Sequence, residues 1–296
     1  MSTTPTLLRP ATATDVAGML RDGRAICGGT DLLVQRRAGA PVASMIDLTA
    51  IRDGVPVLEE TAAGDLRLSA LHALTEITSA LGEELGPLRE AVAVFASTTI
   101  RNRATLGGNL ANGSPAADTV PPLLVLDAVI DVVTPDGGTR AVPLADFLLG
   151  PGRVQLGEQE WIRTVTIPAA ARGGVRPDAG FRKIGGRAAQ AISFLSMAWQ
   201  WRTSEDGRLT DVRLAMGAVA PTVVRLTAVE RLLEGTTPGP EQIEAAAAAV
   251  DQDIRPIDDL RASAAYRRRC AAGLVREALG ALATRPPRDE RQHPWT

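Results

Sequence analysis

Apolar residues recur along this chain in short blocks whose spacing alternates between two and between three and four residues, and clusters of Gly, Pro, Asn and Asp separate the blocks. Thr14-Asp15 reads as the cap of a short helix, an Asp22-Gly23 turn follows, and Ala25-Ile26-Cys27 is a small apolar strand ended by Gly28-Gly29. Asp31 to Arg37 has helical composition and Ser44 to Leu48 reads as a strand. Strand, Gly-rich turn, helix and strand predict a βαβ-like unit over residues 1–54. A second unit, 55–175, opens with Val57 to Glu60 and Leu66 to Ala70 as a hairpin about Ala63-Gly64-Asp65. Helix-spaced apolar residues follow at Thr75 to Ser79 and Leu85 to Phe95. A loop from Arg101 to Pro122 comes next, and then strands at Val129 to Thr134, Thr139 to Val142 and Trp161 to Ile167, with an Asp136-Gly137-Gly138 turn. The third unit, 176–284, begins after an Ala-, Gly- and Pro-rich stretch. It pairs strands at Gly180 to Ile184, Ser193 to Arg202 and Leu209 to Val219 with helices at Thr227 to Leu233, Pro240 to Val250 and Ser263 to Leu282. Residues 285–296 read as a flexible polar tail. The whole is an α+β arrangement.

Composition narrows the function. With 296 residues, 45% hydrophobic and 22% charged, the chain has ample material for a folded core. No apolar run approaches the roughly 18 residues of a spanning helix, because Asp127 and Asp131 interrupt the best one, Leu123 to Val133. Met1 to Pro10 lacks a basic-then-apolar signal, and the cytoplasm is the expected location. A formal charge of −2 and 3% aromatics give no footprint for nucleic acid. Cys27, Cys270, His72 and His293 are too few and too scattered to hold zinc or an iron-sulfur cluster, so no metal is expected in this chain. Of the 32 basic residues one, Lys183, is lysine.

Two glycine-rich segments carry the candidate chemistry. In Ala25-Ile26-Cys27-Gly28-Gly29-Thr30-Asp31-Leu32, successive glycines between strand and helix let backbone N–H groups converge on an anion such as a phosphate. A tight turn with no ligand is the plain alternative. Thr105-Leu106-Gly107-Gly108-Asn109 repeats the device and runs on through Asn112-Gly113-Ser114-Pro115 to Asp118. Loops beyond about 12 to 15 residues usually have a function or no order, and the structured flanks here favour function. Neither segment is G-x-G-x-x-G and nothing matches G-x(4)-G-K-[ST], so a dinucleotide held in some other way fits better. Arg101 and Arg103, in an Arg-rich chain, are left outside the site.

These loops, the run from Thr99 to Asn109, Ser114-Pro115-Ala116-Ala117-Asp118 and Phe181-Arg182-Lys183 together resemble the FAD-binding medium subunits of the molybdenum hydroxylases, the group of xanthine dehydrogenase and carbon monoxide dehydrogenase. The resemblance covers nearly the whole chain. It implies the FAD-binding fold of the vanillyl-alcohol oxidase and p-cresol methylhydroxylase type, in two α/β subdomains, plus a C-terminal small antiparallel sheet with helices. It implies FAD contacts at Ala25, Ile26, Cys27, Gly28, Gly29, Thr30, Asp31 and Leu32, at Thr105, Leu106, Gly107, Gly108 and Asn109, and at Asp118, Ile162 and Lys183. Phe95 falls where some relatives place an aromatic near the flavin, although a lone Phe is also a common core residue. Cys27 stands where many relatives have Ala and reads best as a buried, inert thiol. Thr30-Asp31 resembles the purine- and aldehyde-oxidising branches more than the His-Ser of the carbon monoxide branch.

No residue set reads as nucleophile, base and orienter, so the flavin is expected to carry the chemistry. The resemblance implies a large molybdenum-cofactor subunit, a small subunit with two-iron two-sulfur clusters, and an acceptor such as NAD or oxygen for electrons leaving the FAD, the whole assembled as a dimer of heterotrimers. Two other readings stay open: a self-contained FAD-dependent oxidoreductase with its own organic substrate, and a non-enzymatic binding module whose glycine loops are only turns.

Overall fold

A computed structural model of the chain describes residues 6–172, 178–187 and 189–283. The domain boundary expected at residue 175 and the tail from 285 lie outside these residues.

The first unit is a three-stranded parallel sheet in which Ser44–Asp47 lies between Thr6–Leu8 and Arg24–Ile26. Helix Ala13–Leu20 packs Val16 and Leu20 onto Ile46. That helix is capped by Thr12 rather than Thr14, because the Asp15 carboxylate reaches back to accept from Thr12 N at 2.8 Å and Thr12 Oγ1 at 2.9 Å. Strand Thr6–Leu8 is too short, at three residues, to leave a period in the sequence.

The second unit is a five-stranded antiparallel sheet with strands Leu58–Glu60, Leu66–Ser69, Trp161–Ile167, Val129–Val133 and Thr139–Pro143 in that spatial order. The central strand Trp161–Ile167 is buried on both faces except at Arg163 and Thr166. One face lies under helices Leu74–Ala80, Gly86–Ala93, Leu106–Ala111 and Val120–Val125, which share a single core with it. The expected loop from Arg101 to Pro122 therefore carries the short helix Leu106–Ala111 in its middle and enters helix Val120–Val125 at its end, with turns between them. Thr105 Oγ1 accepts from Gly108 N at 3.0 Å and starts a helix through the glycine pair. The apolar run Leu123 to Val133 splits at Asp127, whose φ of 48° turns the chain from helix to strand while its carboxylate pairs with Arg213 and Arg225.

The third unit is an antiparallel sheet of Asp178–Ile184, Leu195–Thr203, Leu209–Gly217 and Val224–Arg225. Alternation along Leu195–Thr203 decides what each face meets. Leu195, Met197 and Trp201 belong to a core with helices Thr227–Leu233, Pro240–Asp253 and Ala264–Ala283, whereas Ala198 joins the core of the second unit beneath helix Val120–Val125. Among the described residues no helix is long and apolar enough to cross a membrane, and no group of His, Cys, Asp and Glu is placed to hold a metal.

Candidate functional site

The two glycine segments meet. Strand Arg24–Ile26 delivers Cys27 to Asp31 onto the turn before helix Leu106–Ala111, and the approach there is backbone on backbone. A Cβ on Gly28 would sit 1.9 Å from Arg103 O, and Arg103 Nε donates to Gly28 O at 3.1 Å. Gly29, with φ +69°, then turns the chain into helix Leu32–Arg37. Cys27 shares a hydrogen bond with the Thr105 side chain, and burial pushes its thiol up to about 12. The thiol is thus protonated and inert at neutral pH. In a Cys270→Ser background, the native chain should show no reaction with a thiol reagent at pH 8, and unfolding should release the single Cys27.

Between these segments lies a cavity of about 610 Å³, lined by residues 24–32 from the first and by Thr105, Gly108, Asn109 and Asn112 from the second. Among the described residues the N–H groups of Gly28, Gly29 and Thr30 donate to nothing in the chain, so three donors beside the cavity are free for an acceptor. An adjoining cavity of about 700 Å³ shares Asp31, Phe95, Ile100, Asn109 and Ile192 with it and runs on to Asp118 and Arg255. Together they offer a donor-rich end and, where the two cavities join, an apolar stretch walled by Phe95, Ile100 and Ile192. These features suit the pyrophosphate and the ring system of a flavin dinucleotide respectively.

Asp118 is 5% exposed. Its Oδ2 accepts from Lys183 Nζ at 2.6 Å, and Ser193 Oγ donates to its Oδ1. Burial raises the Asp118 carboxyl above the usual carboxylate range, while Lys183 and Ser193 pull in the opposite direction. Lys183 also donates to Val94 O at 3.3 Å and lines a separate cavity of about 690 Å³. It therefore reaches the flavin-sized cavities through Asp118.

The other expected residues divide. Leu106 and Gly107 are buried under the site rather than lining it: Gly107 N donates to Ala70 O at 3.0 Å, and a Cβ there would sit 2.8 Å from that oxygen. Ile162 is 4% exposed in the main core and lines neither cavity. Phe95 does both, packing against that core and walling both cavities. Four residues left out of the expected site support it. Arg101 donates to Phe95 O at 2.8 Å, Arg103 holds Gly28 as described, and Gln35 Nε2 bridges to Asn112 Oδ1 at 3.4 Å. In a chain with so many arginines nothing marks these two, whereas Asn112 was visible in the second segment.

A strand-loop-helix seated on a second glycine helix, with unpartnered amides and an apolar slot beyond, defines a flavin-binding oxidoreductase unit. Comparison with known proteins makes this specific. Residues 3–170 match the FAD binding domain in molybdopterin dehydrogenase, and residues 181–282 match the CO dehydrogenase flavoprotein C-terminal domain. The chain is 30% identical to the xanthine dehydrogenase FAD-binding subunit of Escherichia coli O157:H7, over 88% of this chain and 89% of that one. It is 31% identical to the nicotine 6-hydroxylase medium subunit of Paenarthrobacter nicotinovorans, over 91% and 94%. Among solved structures, carbon monoxide dehydrogenase from Hydrogenophaga pseudoflava superimposes with a TM-score of 0.88 at 26% identity, covering 97% of this chain and 100% of that one. The chain belongs to the family of FAD-binding medium subunits of xanthine dehydrogenase and carbon monoxide dehydrogenase type molybdenum hydroxylases, and it is an oxidoreductase subunit whose cofactor is FAD.

Proposed function

We propose that this chain is the electron-exit subunit of a cytoplasmic three-subunit molybdenum hydroxylase. In this reading residues 1–54 and 55–175 grip FAD between them, and 176–284 close the apolar stretch. The observation that carries it is the convergence of the free amides of Gly28, Gly29 and Thr30 and the helix start at Thr105 on one cavity.

When bound, the flavin supplies the redox chemistry, accepting electrons and passing them on. The chain's own residues bind, orient and exclude water. Gly28, Gly29 and Thr30 N–H groups hold the pyrophosphate, Gly108 leaves room for it, and Phe95, Ile100 and Ile192 wall the ring system. Asp118, fixed by Lys183 and Ser193, presents a buried carboxyl beyond the apolar stretch. Electrons enter from iron-sulfur clusters of a small partner subunit and leave to NAD, oxygen or another carrier. A large partner holds the molybdenum cofactor and the organic substrate, and the complex is a dimer of heterotrimers. Thr30-Asp31 supports a substrate of the purine or aldehyde type over carbon monoxide.

The test is the visible spectrum of the tagged chain drawn gently from its host with whatever accompanies it. Flavin bands overlaid on iron-sulfur absorption, in stoichiometric amounts, are expected. Flavin on a lone chain that turns over an organic substrate would replace this reading with the self-contained oxidoreductase.

A further inference from the structure

Lys183 and Asp118 stand on two sides of a partition. Asp118 and Ser193 line the inner, flavin-sized cavity of about 700 Å³. Lys183 lines the outer cavity of about 690 Å³, as does Val94, whose carbonyl accepts from Lys183 Nζ at 3.3 Å. Ala191 lines both cavities, so they are neighbours, and the 2.6 Å bond from Lys183 Nζ to Asp118 Oδ2 crosses between them. We propose that Lys183 and Asp118 form a proton route, which carries protons from water in the outer cavity to the flavin as it is reduced and returns them as it is reoxidised. The route rests on the flavin site proposed above.

In the inward step the Lys183 ammonium gives its bridging proton to Asp118. An N–H bond breaks, an O–H bond forms on Oδ2, and the ion pair becomes a neutral amine beside a neutral acid. The acid passes that proton to the flavin and is a carboxylate again, while the amine takes a proton from water in the outer cavity and is an ammonium again. One proton crosses in each cycle. The electrons come from whatever donor reduces the flavin and do not pass through the pair. Ser193 Oγ, by donating to Oδ1, leaves Oδ2 to face the lysine. Among the described residues the third proton of Lys183 has no acceptor in the chain, which leaves it for water. Burial raises the Asp118 carboxyl, which brings the two groups closer in proton affinity and lowers the cost of the neutral pair. The residue type matters as well. An ammonium gives up a proton readily when buried and a guanidinium does not, and this position holds the one lysine among 32 basic residues.

The neighbouring ionisable groups are engaged elsewhere. In the flavin-sized cavities Asp31 accepts from Gln35 Nε2, Asp259 pairs with Arg267 and Arg261, and Cys27 keeps its thiol proton. Asp118 is the buried carboxylate among them. Around the outer cavity Glu90 Oε2 accepts from Phe181 N at 2.7 Å, Arg182 pairs with Glu277, and Arg187 donates to Ala189 O at 3.0 Å.

The test uses the FAD-loaded protein with whatever accompanies it from its host. A light flash drives a one-electron donor in weakly buffered solution, flavin absorbance records reduction, and a pH-indicator dye records proton uptake. Rates are taken per bound flavin, so that lost FAD is not mistaken for a lost route. Lys183→Arg keeps the charge and withholds the proton, and its proton uptake should slow by roughly tenfold or more, with a smaller solvent deuterium effect than the parent's. Lys183→Ala should be as slow. Ethylammonium, small enough for the outer cavity, should restore its rate, whereas tetramethylammonium, which has the charge and no N–H, should not. A lysine that only holds the fold together would not distinguish the two cations, and this readout survives if Lys183→Arg fails to fold. Proton uptake as fast as the parent's in a flavin-loaded variant, or equal rescue by both cations, overturns the route and leaves the flavin site standing. A parent complex without flavin overturns the site itself, and the route with it.

Discussion

Gly28→Ala will purify without FAD, and its melting temperature will fall by about 5–10 °C. The new Cβ would lie 1.9 Å from Arg103 O, 2.5 Å from Arg103 C and 3.0 Å from Ala104 N, all backbone atoms that no rotamer change can move. Ala104 is itself tied down, since its O accepts from Leu74 N at 2.8 Å and its N donates to Ile100 O at 2.7 Å. Relief must come from lifting Cys27 to Thr30 off the second segment, which separates the two walls of the cavity and breaks the Arg103 to Gly28 and Cys27 to Thr105 contacts. Overpacking of this kind costs about 3 kcal/mol. Gly108→Ala separates stability from binding. Its Cβ meets only Thr105 Oγ1, at 3.1 Å, and lies in a helical turn where alanine is preferred to glycine by about 1 kcal/mol, so folding stability should change little. It still projects where the cavity is lined, and flavin content should drop. The ratio of flavin to protein absorbance, read beside a urea midpoint, distinguishes the two variants. Parental flavin content in Gly28→Ala would remove the glycine contact from the binding site.

Why the sequence revealed one wall of this site better than the other is a matter of range. Strand, glycine turn and helix over residues 24 to 37 are local, and periodicity with turn chemistry placed them within a residue or two. The hairpins at Ala63-Gly64-Asp65, Asp136-Gly137-Gly138 and Glu205-Asp206-Gly207 were legible for the same reason, since each turn announces its own geometry. The segment after Arg101 was not. Its glycines and asparagines argue for a loop, and the helix that forms there depends on the Thr105 cap and on Ala70, which accepts from Gly107 N and leaves no space for a side chain there. Lys183 stood out as the one lysine, but its position behind Asp118 depends on a contact across 65 residues that no local pattern records. Ser193, which completes the cluster, looked like the edge of a strand.

Lys183→Met should destabilise the fold by about 3–5 kcal/mol at pH 8, the cost of leaving one member of a buried ion pair without its partner. The side chains of Lys183 and Asp118 are 9% and 7% exposed, so water cannot stand in for the lost ammonium. The pH dependence gives the mechanism away. Burial already holds the Asp118 carboxyl above its usual range, and without Lys183 only Ser193 opposes that rise, so the carboxyl moves further up. A carboxyl raised in the folded state binds its proton more tightly there than in the unfolded chain, which adds stability at low pH and withdraws it as pH climbs from about 3.9 through the folded value. The deficit of Lys183→Met relative to the parent is therefore largest at pH 8 and shrinks on acidification, as Asp118 takes up the proton that replaces the ammonium. Asp118→Asn combined with Lys183→Met should recover most of the loss, because a neutral amide can still accept from Ser193 and needs no counter-charge. Flavin content should follow a different course: the double variant stays low in FAD, since the charged carboxyl and its positioning are gone even though the fold is restored. Urea unfolding at pH 5 and pH 8, with flavin absorbance read on the same samples, checks both. A Lys183→Met deficit independent of pH would mean that packing of the lysine stem, rather than the Asp118 charge, is what the fold loses.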